Sequence, residues 1–455
     1  MLAFAAASLL ALAAAPASAA PLCKGCPIVF VSFDATQASH VRSLGYERET
    51  TPVFDELARR GALFTQAVSP ASWTVPTGLS WFTGTYPSVH KVTNKFSEFT
   101  AEKQVIANLR KLSPELKTLA EVLRENGYAT GGFTCDAGVN GVFGYSLGFD
   151  VYFDSVPPFS PMDHSIPRAL AWLKTAKDRP YFLFLHGYGN HGQSSPTGGF
   201  DRRYVDAGYA GPYDGSPAQQ RELREKGLAG EIDMAEADVR FWRAIYDEKI
   251  ARTDALFGQF LEVMAQIGAD RRVVFVLVSD HGTEFYEHRK FDHGATLYDE
   301  LVHVPLAIVV PGAAPRVVRE QVTTMDLMPT LLEIVGVEPS PELRAQMRGR
   351  SLVPALRGEA FSARDVFFET DYRLFTHKRG VRSADGWKLI YTLESEGLEL
   401  YDLKTDPGET KNLAKADAAK TLELLDKVRA HYRELGASLT SFRMGCSPVY
   451  ADQCK

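Results

Sequence analysis

Short, nearly continuous apolar runs recur along the chain at residues 27–33 (PIVFVSF), 128–134, 181–185, 273–279 and 304–310. Runs of that length, rich in Val, Ile and Phe, predict strands buried on both faces. Between them the apolar positions recur at helical spacing. This predicts helices over 51–63 (Pro52 at the start, Gly61 at the end), 116–125 (ended by Gly127), 241–267 and 325–335 (closed by Gly336). Buried strands alternating with amphipathic helices predict an α/β fold: a mixed, mostly parallel sheet flanked by helices. Residues 193 to about 227 are rich in Gly, Pro, Ser and charge and show no period. They read as a loop-rich insertion near the mouth of a site, and recognition of a substrate is assigned to residues 193–240. A hinge is placed at 338–358. Beyond it, short strand-like runs at 366–368, 379–382, 387–391 and 399–401 and a helix at 418–434 predict a small antiparallel α+β domain over 359–455.

The composition is that of an ordinary globular protein: 455 residues, 45% hydrophobic and 23% charged, with a formal net charge of -6. The acidic balance and the lack of a long basic run argue against nucleic acid as partner. Residues 2–20 are apolar and Ala-rich and end in an A-x-A pattern. This predicts a signal peptide cut after Ala19, a periplasmic or secreted mature chain over 20–455 and no later membrane span. The oligomeric state is not legible. Among five cysteines, Cys23 and Cys26 lie near the new N-terminus and Cys446 and Cys454 near the C-terminus. In an exported chain this distribution predicts disulfides, and a bridge tying one end to the other is expected.

The candidate chemistry centres on residues 72–87 (SWTVPTGLSWFTGTYP). Thr74 stands just before Pro76, a residue favoured in a helix's first turn, and Gly84 is a stop. A hydroxyl at a helix N-terminus lies in a field that favours negative charge. Thr74 is therefore either a helix cap or a nucleophile for an anionic ester. Asp34 ends the first strand and Asp280-His281 ends another, while His191 and His293 follow strands or the Asp-His pair. Carboxylates and an imidazole at strand ends, joined by the Thr74 hydroxyl, supply a ligand set for one divalent cation.

On these residues the chain resembles the sulfatase branch of the alkaline phosphatase superfamily. The resemblance runs through VSFDATQASHV (31–41), residues 51–90, FLFLHGYGNH (182–191), YDEKIARTDALFGQFL (246–261), the segments around SDHG (279–282) and DHGATLYDE (292–300), MDLMPTLLEIVGV (325–337) and ELYDLKTDPGETKNLA (399–414). It implies a catalytic domain over 20–337 and an anionic sulfate or phosphate ester as substrate. It implies that Asp34, Asp280 and His281 ligate the metal, with Thr74 as nucleophile and further ligand. His191 and His293 fall where the family binds the charged ester oxygens and assists the leaving group.

The departures carry chemical meaning. Thr74-Val75-Pro76-Thr77-Gly78 replaces the Cys-x-Pro-Ser-Arg of true sulfatases, so no formylglycine can form. Ala35 stands where a second metal Asp is usual, and His281 where Asn is usual. One metal is expected, manganese, zinc or calcium, with the imidazole tilting the choice away from calcium. A hydrolase acting through a Thr ester is expected, with phosphate-type esters ranked before sulfate. A phosphotransferase to a lipid or sugar hydroxyl and a non-catalytic binding protein that retained the fold are the alternatives.

Overall fold

The computed structural model describes residues 20–93, 112–135, 137–155, 157–192, 199–372, 376–437 and 439. Residues 1–19, read above as a signal peptide, and Cys446 and Cys454 lie outside them. In chain order the first half comprises β1 (Ile28–Phe33), α1 (Pro52–Arg60), β2 (Ala62–Val68), α2 (Thr74–Thr83), α3 (Pro87–His90), α4 (Leu119–Glu125), β3 (Ala129–Phe133), β4 (Val151–Phe153), α5 (Ile166–Ala176) and β5 (Tyr181–Gly187). There follow α6 (Pro217–Ala229), α7 (Glu236–Gln266), β6 (Val274–Val278), β7 (Glu284–Phe285), β8 (Phe291–Asp292), α8 (Asp299–Val302), β9 (His303–Val309), β10 (Arg316–Val318), β11 (Val322–Thr323) and α9 (Leu327–Val335). The chain then forms α10 (Pro341–Gln346), α11 (Val353–Arg357), β12 (Val366–Tyr372), β13 (Thr376–Arg382), β14 (Trp387–Thr392), β15 (Gly397–Asp402) and α12 (Ala418–Glu434).

The large sheet runs β10-β2-β9-β6-β1-β5-β3-β4, with β11 also on β2. β1 pairs in parallel with β5 and β6, and β9 is antiparallel to both β6 and β2. β1 and β5 are buried along their whole length, which is why they read as continuous apolar runs. Alternate residues feed two separate cores. Phe30 meets Trp81 and Phe82 of α2 and Phe184 of β5 on one face. Phe33 meets Phe54 of α1 and Phe257 of α7 on the other. The fold is thus an α/β sandwich with a mixed, mostly parallel sheet.

The C-terminal sheet is a four-stranded antiparallel meander, β12-β13-β14-β15, covered by α12. Its first strand docks on the large sheet's loops. Glu369 N donates to Pro70 O (2.9 Å), Ser88 N to a Glu369 carboxylate oxygen (2.7 Å), and the Thr370 hydroxyl to Gly294 O (2.6 Å). These contacts grip the segment before Thr74 and the one after His293.

The structure corrects the expected end-to-end disulfide: Cys23 bonds Cys26, with Cα atoms 5.5 Å apart. The reason is local. Gly25 adopts a left-handed conformation (φ 65°), and the turn it makes brings the two thiols together. The N-terminal segment is pinned to the end of α9 instead, through Cys23 N to Ile334 O and Gly25 N to Val335 O.

Candidate active site

Asp34, Asp280 and His281 meet at the carboxyl ends of β1 and β6, where the sheet delivers working residues. One ligand atom from each lies within 4.8 Å of the others, and all three residues are buried. Thr74 is the first residue of α2, after the N-cap Trp73. Its hydroxyl caps nothing. It lies 3.4 Å from Asp34 Oδ1 and 3.2 Å from His281 Nε2.

The local sequence explains the placement. Pro76 sits in the first turn of α2, where its missing N–H costs no helical bond, and Gly84 (φ 66°) closes the helix. Two hydroxyls further along α2 are used elsewhere: Thr77 Oγ1 donates to Ala71 O (3.2 Å), and Ser80 Oγ pairs with His90 Nε2 (3.2 Å). Tyr145 steadies the turn at Thr74 by donating to Thr74 O and Val75 O at 3.0 and 2.9 Å. Gly78 makes room for it, since a Cβ there would sit 2.4 Å from the Tyr145 hydroxyl.

Asp280 is fixed by the backbone, accepting from Ala35 N and His281 N at 2.9 Å each. His281 Nδ1 lies 2.7 Å from Gly282 O. That bond assigns the proton to Nδ1 and leaves the Nε2 lone pair facing Thr74. Burial, and then the facing Asp280 carboxylate, pushes Asp34 well above the usual range. Burial works the same way on Asp280, yet the His281 and His186 imidazoles hold it below its ordinary value. Burial lowers His281 to about 4, so it is a neutral imidazole suited to ligation.

A metal ion fits this donor set. Asp34 Oδ2 and Asp280 Oδ2 are buried without a hydrogen-bond partner. Two carboxylates facing each other in the interior call for a shared proton or a cation between them. Two carboxylates, one imidazole and a hydroxyl match a hard-to-borderline divalent ion.

His191 and His293 complete the cluster. The His293 ring stacks on His281 (centroids 4.3 Å apart) and meets His191 edge-on at 4.8 Å. All the residues named from the sequence therefore converge at one place. Others came to light only in the structure. His186, at the end of β5, places Nε2 3.8 Å from Asp34 Oδ1. Asp292 pairs with His293 Nδ1 and has a left-handed backbone (φ 78°). Lys249 of α7 is buried, lowered by that burial to about 8, and donates to His191 O (3.2 Å) and Gln220 Oε1 (3.3 Å). Of these, His186 carried a signal, since it ends an apolar strand just as Asp34 does. Lys249 and Asp292 carried none.

The Sulfatase family profile matches residues 27–337, and a profile described as N-sulphoglucosamine sulphohydrolase, C-terminal, matches 286–435. A Delta 4,5-hexuronate-2-O-sulfatase of Bacteroides thetaiotaomicron is 24% identical over 404 residues, covering 82% of each chain. Arylsulfatase K of Bos taurus is 29% identical over 223 residues, 46% of this chain and 40% of that protein. Among solved structures, the phosphonate monoester hydrolase of Agrobacterium radiobacter shares the fold with a TM-score of 0.72 at 21% identity, covering 90% of this chain and 96% of that one. With the family profile spanning the whole large sheet and its strand-end residues, the chain belongs to the sulfatase family and is a sulfatase-like ester hydrolase.

Proposed function

We propose that the protein is an exported, metal-dependent hydrolase in which the Thr74 hydroxyl attacks sulfur or phosphorus of an anionic ester, phosphate-type esters ranking first. The observation that carries this reading is the Thr74 hydroxyl at the start of α2, 3.4 Å from Asp34 Oδ1 and 3.2 Å from His281 Nε2. Asp34, Asp280, His281 and Thr74 Oγ1 would hold one divalent ion, manganese, zinc or calcium. Bound there, it supplies positive charge that acidifies a hydroxyl and neutralises ester oxygens. Thr74 Oγ1 gives its proton to the facing Asp34 Oδ1 and forms the new bond to phosphorus or sulfur as the bond to the leaving oxygen, in line with it, breaks. The first amides of α2 and the field of its 10 residues favour the equatorial charge. His191 or His293 gives the leaving oxygen its proton.

Phosphate-type esters rank first because Thr74 cannot become formylglycine. An ester on its oxygen must be hydrolysed at phosphorus or sulfur or passed to an acceptor alcohol. Sulfate esters are the second reading, favoured by the names of the sequence relatives, among them the hexuronate-2-O-sulfatase. The test is turnover of chromogenic sulfate, phosphomonoester, phosphodiester and phosphonate esters by the purified mature chain, with metal analysis and chelator controls. Phosphodiester or phosphonate turnover that needs both metal and Thr74 supports the first reading. Sulfate turnover alone selects the second, and Thr74-independent turnover overturns the covalent route.

A further inference from the structure

Each of the three strand-end ligands needs something to hold its orientation. Asp280 has two backbone amides at 2.9 Å, and His281 has the Gly282 carbonyl at 2.7 Å. Asp34 has neither. Its Oδ1 receives the Thr74 hydroxyl at 3.4 Å, a group the reaction needs for itself, and its Oδ2 is buried without a partner.

Beneath Asp34 lies His186. The residue is fully buried, and both ring nitrogens lack a hydrogen-bond partner. Leaving an imidazole unsatisfied in the interior is costly, so the ring has work to do there. Its Nε2 approaches Asp34 Oδ1 at 3.8 Å. An imidazole offers one N–H to donate and one lone pair to accept. Ser32 is its register partner on β1, and the Ser32 hydroxyl is also buried without a partner. In-register neighbours on parallel strands present side chains to the same face. The aligned set is therefore a hydroxyl, an imidazole and a carboxylate, each one able to satisfy the next.

We propose that His186 is the positioning residue for Asp34: its N–H holds the carboxylate in the metal-binding orientation while its other nitrogen accepts from Ser32. This rests on the metal reading above. It places His186 behind the ligand group rather than in it, since Asp34, Asp280 and His281 form the compact set and His186 closes on Asp34 from the sheet side.

The test is zinc and manganese affinity of the metal-stripped mature chain, by competition with a chromophoric chelator, for wild type, His186→Leu, His186→Gln and Ser32→Ala. His186→Leu is expected to weaken binding about 10- to 100-fold. His186→Gln, which keeps an N–H donor, should recover most of that loss, and Ser32→Ala should lose least. Equal affinity of wild type and His186→Leu overturns the proposal. X-ray absorption of the zinc-loaded wild type decides independently should His186→Leu fail to fold: one imidazole in the coordination sphere is expected, and two would make His186 a ligand. A wild type that binds neither of these ions, nor calcium in a parallel titration, refutes the metal assignment itself, and the proposal with it.

Discussion

Two pairs of buried carboxylates can be set side by side. In the C-terminal sheet, Glu369 and Asp371 of β12 flank Arg379 of β13. Arg379 Nη1 donates to Asp371 Oδ1 at 2.8 Å, its Nε lies 3.3 Å from Glu369 Oε2, and His377 Nδ1 adds a contact to Asp371 at 2.8 Å. At the edge of the large sheet, Asp34 and Asp280 face each other with no Lys or Arg within ion-pair reach among the described residues. Burial opposes ionisation in both places, and in each pair one carboxylate rises while the other is held down: Glu369 goes up to about 7 and Asp371 falls, Asp34 goes up and Asp280 falls. The difference is in the counter-charge, a buried Arg379 in the C-terminal sheet and only imidazoles beside Asp34 and Asp280. Carboxylates that hold the structure together carry their counter-charge in the chain. Those that hold something else leave the counter-charge to come from outside.

The sharpest break of this comparison is at the group that shares the unneutralised pair's space. Thr74→Ala should lower turnover by about three orders of magnitude or more, with folding and most metal binding retained. Thr74→Ser should keep part of the activity, and Thr77→Ala should cost far less. Steady-state kinetics on the substrate identified above reads this. Near wild-type turnover in Thr74→Ala would make a bound water the attacker.

The two carboxylate pairs should then respond oppositely to loss of charge. Arg379→Met strands two buried acids and should destabilise the protein by about 3–5 kcal/mol. Asp34→Asn relieves a like-charge contact and should leave the metal-free protein as stable as wild type or more so. Denaturant melts of both variants without metal measure the contrast. A large loss in metal-free Asp34→Asn would show that the pair is structural after all. Adding a divalent ion at about 100 times its dissociation constant should stabilise wild type by roughly 2.7 kcal/mol. The same addition should do little for Asp34→Asn.

Much of this was legible before any coordinates. β1, β5 and β6 are buried on both sides, so their sequences are continuous apolar runs, and Asp34, Asp280 and His281 stand out by interrupting them. The final helix matches its expected limits, 418–434. Several elements escaped, α5 and the short α10 and α11 of the expected hinge among them, and two others show why. β2 carries Thr65 and Gln66 mid-strand, which breaks the apolar signal. α6 falls largely in the stretch read as loop, because two of its inward positions are polar: Gln220, Leu223, Arg224 and Gly227 are buried at helical spacing. Those polar residues face the site. Gln220 binds Lys249, and Arg224 lies 3.8 Å from Asp292. A helix that turns polar groups inward toward a site forfeits the periodicity by which helices are recognised. Asp292 and Lys249 were invisible for a related reason, since their roles come from neighbours distant in sequence.

A third kind of buried carboxylate lies between the two extremes. Asp254 of α7 has no cation within ion-pair reach among the described residues, and it accepts from the amides of Val53 and Phe54 at 2.8 and 2.9 Å. It thereby satisfies two of the open N–H groups at the start of α1. Burial outweighs those bonds and raises it from 3.8 to about 7. The folded state thus binds this proton more tightly than the unfolded chain does. Its contribution to stability is fully present below about pH 4 and is lost as pH rises through 7. The slope inside that window should be on the order of 1 kcal/mol per pH unit. Asp254→Asn keeps an acceptor oxygen for the helix terminus but cannot titrate, so its stability should vary less between pH 4 and 7. Denaturant melts of wild type and Asp254→Asn, both metal-free, at intervals across that range isolate the difference. Parallel curves would mean that the two amides, not burial, govern this carboxylate, and that amide-held acids belong with the cation-paired class.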